Sequence, residues 1–343
     1  MSFPQPEYSR TKVDKAGYRL LENGEDSEAN KILTNWRASH GYPVNTFQAT
    51  LRMRLRKVDP KAIVAQRIKR TPAILNKLRR FSSMRLTQMQ DIGGLRAVVD
   101  SVKQVRELQA MYTEQRFNHD LVGIDDYIQY PKDDGYRSAH SVFRYKNRNT
   151  DVYDGLYVEL QIRSRLQHAW ATAVETMGTF LGQALKSREG EQRWLDFFAI
   201  VGAAFAHKER TPLIPEYERL SAIDTYRAVI EAEKNLLVLD KLQGFAVAGE
   251  AISKSTTKGR YNLIVLDSLN RKVSIRAFAK DQLGLATEEY AIVEARAQKG
   301  EKIEAVLVSA GPIDALKRAY PNYFLDSRVF VRIVNQIITE GKK

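Results

Sequence analysis

The stretch Tyr157-Val158-Glu159-Leu160-Gln161-Ile162-Arg163 alternates apolar and polar side chains, the period of a β-strand with one face in a core. Val158, Leu160 and Ile162 pack inward, and Tyr157, Glu159, Gln161 and Arg163 share the opposite face. A half-polar strand is commonly just a solvated one. This one lies between a polar, glycine-containing loop and a helix, which favours a site.

Working outward, the strand spans Leu156–Ile162 and leads into a helix from Ser164 to about Leu185. Before it come a strand at Ser138–Tyr145 and a hairpin-like return through Asn147–Gly155. Further upstream the pattern predicts a strand at Leu95–Asp100, a helix at Ser101–Arg116 and a polar loop from Gly123 to Tyr136. Ala62–Lys69 alternates like a strand, and Thr71-Pro72 opens a helix through Arg80, with Thr71 as N-cap. The first fifty residues predict helices at Tyr18–Asn23 and Ser27–His40, the latter stopped by His40-Gly41-Tyr42-Pro43. Another follows at Thr46–Val58, with Leu51, Leu55 and Val58 inward and Arg52, Arg56 and Lys57 outward. Strands and helices mixed in this way predict an α/β or α+β sheet covered by helices.

Beyond Arg188 the chain reads as helical to about Leu242, with a break at Thr211-Pro212…Pro215. Two β-hairpins are then expected, Tyr261–Asp267 with Lys272–Ala277, and Tyr290–Ala297 with Glu304–Ser309. A short helix at Pro312–Ala319, a loop at Tyr320–Tyr323 and a closing helix at Ser327–Thr339 complete the chain.

The 343 residues leave room for two domains and contain no cysteine, which excludes disulfides, thiol nucleophiles and cysteine-ligated zinc. No run of about eighteen apolar residues suggests a membrane span, and the N-terminus does not read as a secretion signal. A cytoplasmic address is expected. The net charge of +13 is concentrated: Leu51–Gln90 holds twelve Lys/Arg against the single acid Asp59. Such a cluster suggests a polyanionic partner, the alternative being a solvated helical face.

Asp91-Ile92-Gly93-Gly94 sets an acid and two glycines at a strand start, where backbone can approach a ligand; alone this is also ordinary turn chemistry. Asp91 and Glu159 on neighbouring strands could together hold Mg²⁺ through oxygen ligands, as phosphoryl and pyrophosphoryl transfer require. No GxxxxGK[ST] loop is present, which disfavours a P-loop enzyme. The loop Asp126–His140 combines cations with aromatics, suited to stacking a base and holding its phosphate. Within it Tyr136 reads as the stacking ring and Tyr130 as a core cap. His140 is open to three readings, as base, phosphate donor or core histidine. His119-Asp120, with no other His/Asp cluster nearby, reads as chance.

Four motifs in order resemble the synthetase domain of RelA/SpoT-type alarmone synthetases: Arg67-Ile-Lys69…Ile74…Lys77, Gln90-Asp-Ile-Gly-Gly-Leu-Arg96, Asp126-Tyr-Ile…Pro131-Lys…Gly135-Tyr-Arg-Ser-Ala-His140 and Val158-Glu-Leu-Gln-Ile-Arg163, followed by His168-Ala-Trp170. The resemblance implies a nucleotidyltransferase-like mixed sheet flanked by helices, ATP as pyrophosphate donor and Mg²⁺ as cofactor. It assigns Arg67, Lys69, Lys77 and Arg96 to ATP, and Asp91 to the metal. Glu159 would share the metal or deprotonate the attacking hydroxyl. Lys132, Tyr136, His140, Gln161 and Arg163 would form the acceptor pocket.

The tail looks like that of the fused toxin–antitoxin branch called CapRel, whose C-terminal module resembles a zinc finger without metal and carries a Tyr-x-x-Tyr motif. Tyr320 and Tyr323 would be that pair, holding the module over the ATP site in an intramolecular, inhibitory contact. On this likeness the acceptor is the 3′ end of tRNA rather than GDP or GTP, and a phage protein releases the inhibition. The surplus of Arg52, Arg54, Arg56, Lys57, Arg79, Arg80 and Arg85 would track the acceptor-stem backbone. The implied organisation is a helical segment at 1–56, a synthetase domain at 57–187, helical support at 188–257, a β-rich regulatory module at 258–325 and a closing helix at 326–343.

Overall fold

The structure, a computed structural model, describes residues 3–23, 26–114, 117–147, 150–181, 185, 190–254, 261–267, 270, 272–299, 301, 303–309 and 323–343. Two compact units divide the chain, Met1–Ile128 with Arg137–Arg165, and Gln129–Tyr136 with Leu166–Lys343. Among the described residues no helix is long and apolar enough to cross a membrane.

The first unit holds helices α1 (Arg10–Asn23), α2 (Ser27–Ser39), α3 (Gly41–Val58), α4 (Thr71–Arg80) and α5 (Val102–Thr113). Its strands are β1 (Ile63–Ile68), β2 (Gly93–Val99), β3 (Asp120–Asp126), β4 (Ala139–Arg144) and β5 (Tyr157–Ser164). They form one sheet in the order β1-β2-β5-β4-β3, with β2 and β5 parallel and the other pairs antiparallel. This is the mixed sheet flanked by helices that the sequence predicts. A parallel pair needs a crossover, which α5, β3 and β4 supply.

Leu95, Ala97 and Val99 of β2 join Val158, Leu160 and Ile162 of β5 in the core, with Phe47, Leu51 and Leu55 of α3. Capping fixes α5: Ser101 Oγ accepts from Gln104 N at 3.3 Å, and Gln104 Oε1 accepts from Ser101 N at 3.1 Å. Gln104 Nε2 also donates to the Val58 carbonyl at the end of α3 (3.1 Å), tying two helix termini together.

Several boundaries differ from expectation. His40-Gly41-Tyr42-Pro43 ends α2, yet α3 starts at once at Gly41, with Pro43 in its first turn, where a missing N–H costs nothing. Arg70, not Thr71, is the N-cap of α4, and its side chain makes no capping bond. Part of the expected polar loop is β3, an edge strand paired with β4 through a bulge between Leu121 and Gly123.

The second unit packs α6 (Arg165–Leu181, whose first residue belongs to the first unit), α7 (Gln192–Glu209), α8 (Ala222–Leu236), α9 (Val238–Lys254) and α11 (Tyr323–Gly341) around Trp170, Phe180, Phe197, Phe205, Phe245 and Phe330. Helices α8 and α9 meet at Leu237, which has a positive φ of 51°. There the Glu233 carboxylate accepts from Val238 N and Leu239 N at 3.1 and 3.0 Å, satisfying the open amides of α9. A three-stranded antiparallel sheet follows, β7 (Lys272–Phe278), β6 (Tyr261–Asp267) and β8 (Ile303–Ser309) in that order. The expected strand at Tyr290–Ala297 is instead part of helix α10 (Leu283–Gln298). The sheet therefore holds one of the two expected hairpins, and β8 pairs with the far side of β6. The helix expected at Pro312–Ala319 lies outside the described residues.

Candidate active site

Strand register gathers the polar residues of the first unit. Arg67 lies opposite Gly94, Gly94 opposite Glu159, and Glu159 opposite Val142. In the neighbouring row Arg96, Gln161, His140 and Asp125 line up across β2, β5, β4 and β3. Laterally paired residues share a face, as do residues two apart along a strand. Arg67, Arg96, Glu159, Gln161, Arg163 and His140 therefore occupy one face, behind the core face of Leu95, Leu160 and Ile162. That polar face is not a solvated one: Glu159 is 9 % exposed, Gln161 8 % and Arg163 2 %.

The two glycines serve different neighbours. A Cβ on Gly93 would stand 2.8 Å from Val44 and 3.1 Å from His40, so the residue lets α3 approach β2. A Cβ on Gly94 would meet the Glu159 carbonyl at 3.7 Å and both Arg67 Cγ and Glu159 Oε2 at 3.9 Å, ordinary contacts that place this glycine between the arginine and the carboxylate.

Asp91 precedes β2 and receives two cations. Lys69 Nζ donates to Asp91 Oδ2 at 2.6 Å and Lys77 Nζ to Oδ1 at 2.9 Å. Lys69 follows β1, where its N–H donates to the Ile92 carbonyl at 2.7 Å. Lys77 projects from α4, which is anchored by buried Ile74 and Leu78. Burial pushes the Asp91 carboxyl up, but the two lysines outweigh it and hold the pKa below the usual carboxylate range. Burial depresses the Lys69 ammonium, and Asp91 only partly offsets this.

Glu159 is held on both oxygens. His140 Nδ1 lies 3.0 Å from Oε1, and Gln161 Nε2 donates to Oε2 at 2.8 Å. Burial would raise its pKa, but His140, Arg67 and Gln161 bring it down to about 2. Arg163 Nη2 donates to Gln161 Oε1 at 3.3 Å and its Nε to Ser138 Oγ at 3.4 Å, extending the chain of contacts along the strand. Tyr127 meets His140 edge-on at 5.2 Å. His140 thus partners the Glu159 carboxylate, a contact that none of its three sequence readings specified.

Supports that sequence reasoning missed come from the N-terminal helices. Arg37 Nε donates to the Lys69 carbonyl at 2.8 Å. Asp14 accepts from Thr87 N at 2.8 Å and from Thr87 Oγ1 at 3.0 Å, pinning the segment between Lys77 and Asp91. No local pattern marks either residue, because both contacts join distant parts of the chain.

Two of the expected acceptor residues, Lys132 and Tyr136, belong to the second unit. There the Lys132 ammonium stands over the Tyr136 ring at 5.2 Å, and Tyr136 meets Trp170 edge-on at 6.3 Å. Tyr130 is 76 % exposed, so it does not cap the core as expected. Arg52, Arg56 and Lys57 on α3 are exposed, as the periodicity predicts, and Arg79 and Arg80 on α4 are exposed as well. Arg54 differs from the other expected backbone cations: it covers the Tyr112 ring at 4.0 Å and donates to the Met111 carbonyl. His119 stacks between Phe47 and Tyr145, at 4.4 and 4.8 Å, as a packing residue. Tyr320 lies outside the described residues, and Tyr323 begins α11.

Among the described residues no three His, Cys, Asp or Glu side chains cluster as a closed metal cage. Two carboxylates on one sheet suit Mg²⁺, which takes its remaining oxygens from phosphate and water, although Lys69, Lys77, His140 and Gln161 engage their oxygens in this structure. Asp91 and Glu159 are the residues that would hold it.

Residues 66–178 match the family model described as "Region found in RelA / SpoT proteins". The chain is 36 % identical over 119 residues to GTP pyrophosphokinase YjbM of Bacillus subtilis, covering 33 % of this chain and 54 % of that protein. It is 29 % identical over 119 residues to GTP pyrophosphokinase YwaC of the same organism, covering 33 % and 56 %. The chain thus spans about half the length of the curated relatives it matches. A solved structure of the Bacillus subtilis small alarmone synthetase 1, bound to its product pppGpp, aligns with a TM-score of 0.45 at 25 % identity, over 54 % of this chain and 94 % of that one. Residues 66–178 are thus similar to the region found in RelA/SpoT proteins, and this is the part of the chain that carries the Asp91 and Glu159 clusters.

Proposed function

We propose that the chain is a pyrophosphokinase that transfers the β,γ-pyrophosphoryl group of ATP to the 3′-hydroxyl of GDP or GTP. The observation that carries this is the pairing of a cation-clasped acid, Lys69–Asp91–Lys77, with the buried Glu159–His140 pair, inside a region that matches the RelA/SpoT family. Two of its matched relatives are named GTP pyrophosphokinases.

In the reaction the acceptor 3′-oxygen bonds to the β-phosphorus of ATP. The bond from that phosphorus to the α,β-bridging oxygen breaks, AMP leaves with the bond pair, and the hydroxyl proton is lost. Arg67, Lys69, Lys77 and Arg96 bind the phosphates and stabilise the charge that spreads over them. Asp91 and Glu159 would hold Mg²⁺, which would supply charge neutralisation at the phosphate oxygens. Glu159 also orients the hydroxyl, with His140 and Gln161 fixing its carboxylate. His140, Gln161 and Arg163 receive the acceptor nucleotide.

A second reading takes the 3′-terminal adenosine of tRNA as acceptor, supported by the exposed Arg52, Arg56, Lys57, Arg79 and Arg80. Five cations beyond those assigned to ATP suit a phosphate backbone. On that reading the chain is a CapRel-type toxin–antitoxin fusion that stops translation in anti-phage defence. Its C-terminal module, through Tyr320 and Tyr323, restrains the enzyme until a phage protein releases it.

The test is incubation with Mg²⁺ and γ-labelled ATP in the presence of GDP, GTP or bulk tRNA. Label on guanosine product is the expected result, and label on tRNA alone would shift the conclusion to the second reading. If Tyr323→Ala protein also labels neither acceptor, both readings are rejected.

A further inference from the structure

We propose that Asp91 is a nucleotide-gated metal ligand, its carboxylate held by Lys69 and Lys77 until nucleotide phosphates draw both ammonium groups away. The inference rests on the ATP reading above and adds an order of events to it.

Each Asp91 oxygen already has its own ammonium partner, at 2.6 and 2.9 Å. The Asp91 and Lys69 side chains are only 16 % and 13 % exposed, so solvent screens the cluster weakly. A divalent cation approaching this carboxylate meets two positive charges within contact distance, and such repulsion is strong at the dielectric of a half-buried site.

The backbones that carry the three groups are tied down. The Lys69 backbone is held from both sides, its N–H on the Ile92 carbonyl and its own carbonyl on Arg37. Lys77 stands on α4, whose Ile74 and Leu78 are buried. Asp14 grips Thr87 in the intervening segment. Any release must therefore occur by rotation of the lysine stems, which have four flexible carbons each. Phosphate oxygens compete for them, since ammonium bonds to phosphate are charge-assisted just as those to carboxylate are. When the ammonium groups turn to phosphate, Asp91 is left ionised, uncapped and facing the same phosphates.

By linkage, nucleotide and metal then favour each other. A less obvious consequence is that Asp91 opposes nucleotide when metal is absent, because it holds the cations that the phosphates need. A carboxylate assigned to catalysis is thus expected to weaken metal-free nucleotide binding.

Mn²⁺ binding to nucleotide-free protein, followed by electron paramagnetic resonance, tests the gate. Lys77→Met should bind Mn²⁺ about tenfold more tightly than the parent, the size expected for a close, poorly solvated charge pair. Lys77→Gln should do likewise, and Lys77→Met combined with Asp91→Asn should lose the gain. Calorimetry with a non-hydrolysable ATP analogue supplies a second readout. Asp91→Asn should bind the analogue several-fold more tightly than the parent in EDTA, and more weakly than the parent with Mg²⁺.

Unchanged or weaker Mn²⁺ binding by both Lys77 variants overturns the gate, as does no tightening of the analogue by Asp91→Asn in EDTA. If either occurs while the parent binds the analogue with Mg²⁺, the ATP reading stands and the gate alone falls. A parent that does not bind the analogue at all with Mg²⁺ removes both.

Discussion

Arg37 donates its Nε hydrogen to the carbonyl of Lys69, 2.8 Å away. A residue of α2, outside residues 66–178, thereby holds the backbone from which one of the two Asp91 lysines projects. Arg37→Ala should raise the KM for ATP roughly tenfold, the size of one lost charge-assisted hydrogen bond, with a smaller effect on the acceptor KM. Steady-state kinetics with each substrate varied in turn checks this. Arg37→Lys should recover part of the loss, whereas a purely structural defect would move both KM values alike.

Asp14 accepts two hydrogen bonds from Thr87. Asp14→Ala leaves a partly buried amide and hydroxyl without their partner and should cost about 1–3 kcal/mol. Urea denaturation of Asp14→Ala, Thr87→Ala and the double variant measures the coupling, and additive losses would show that the contact contributes nothing as a pair.

Gly93→Ala tests the close approach of α3 to β2. Its Cβ would stand 2.8 Å from Val44, in a site with no free volume. A destabilisation of about 1–3 kcal/mol is expected. Adding Val44→Ala should recover part of it, as thermal melts of the single and double variants would reveal.

The two units should respond to pH in opposite directions. Burial pushes His40 down to about 4, so the folded first unit resists a proton that the unfolded chain takes near 6.5. Its stability should fall as pH falls from about 6.5 to 4, by on the order of 3 kcal/mol. Burial raises Glu233 to about 7, so the folded second unit keeps a proton that the unfolded chain releases near 4.5. That contribution is lost as pH rises from about 4.5 to 7. Trp36 packs edge-on against His40 at 5.2 Å and reports on the first unit once Trp170 and Trp194 are changed to Phe. Urea midpoints from its fluorescence should rise between pH 4.5 and 7 and flatten in His40→Asn, while circular dichroism of Glu233→Gln should lose the opposite trend.

Glu159→Gln should abolish pyrophosphate transfer, lowering kcat by at least about a hundredfold, since a neutral amide neither binds metal well nor holds His140. His140→Ala should weaken transfer less, because Gln161 still donates to Glu159. Equal losses in the two variants would mean that transfer needs His140 as much as the carboxylate it partners.

What could be read from the sequence was what local order carries. The alternation in Val158–Ile162 sorts core from site, and the spacing Leu51, Leu55, Val58 sorts the faces of α3. The shared face of Glu159, Gln161 and Arg163 follows from strand period, whereas Arg96 and His140 join the site only through the family resemblance. Strand β3 was not legible, because Leu121, Val122 and Ile124 are exposed on an edge and broken by Gly123, so burial imposes no pattern on them. In α10 the run Tyr290-Ala-Ile-Val reads as a strand, yet it continues a segment of helix formers from Leu283 through Glu289 that decides the outcome. Arg37 and Asp14 were invisible for another reason: a hydrogen bond across 32 or 73 residues leaves no trace in spacing.

Strand β5 carries core residues on one face and Glu159, Gln161 and Arg163 on the other, between two hydrogen-bonded neighbours. A single-residue insertion or deletion within it would turn the carboxylate into the core and a leucine into the site. The length of this strand is therefore closed to evolutionary drift, because one indel forfeits folding and chemistry together. Changes in acceptor preference have to arise elsewhere, in segments whose length can vary without resetting a register.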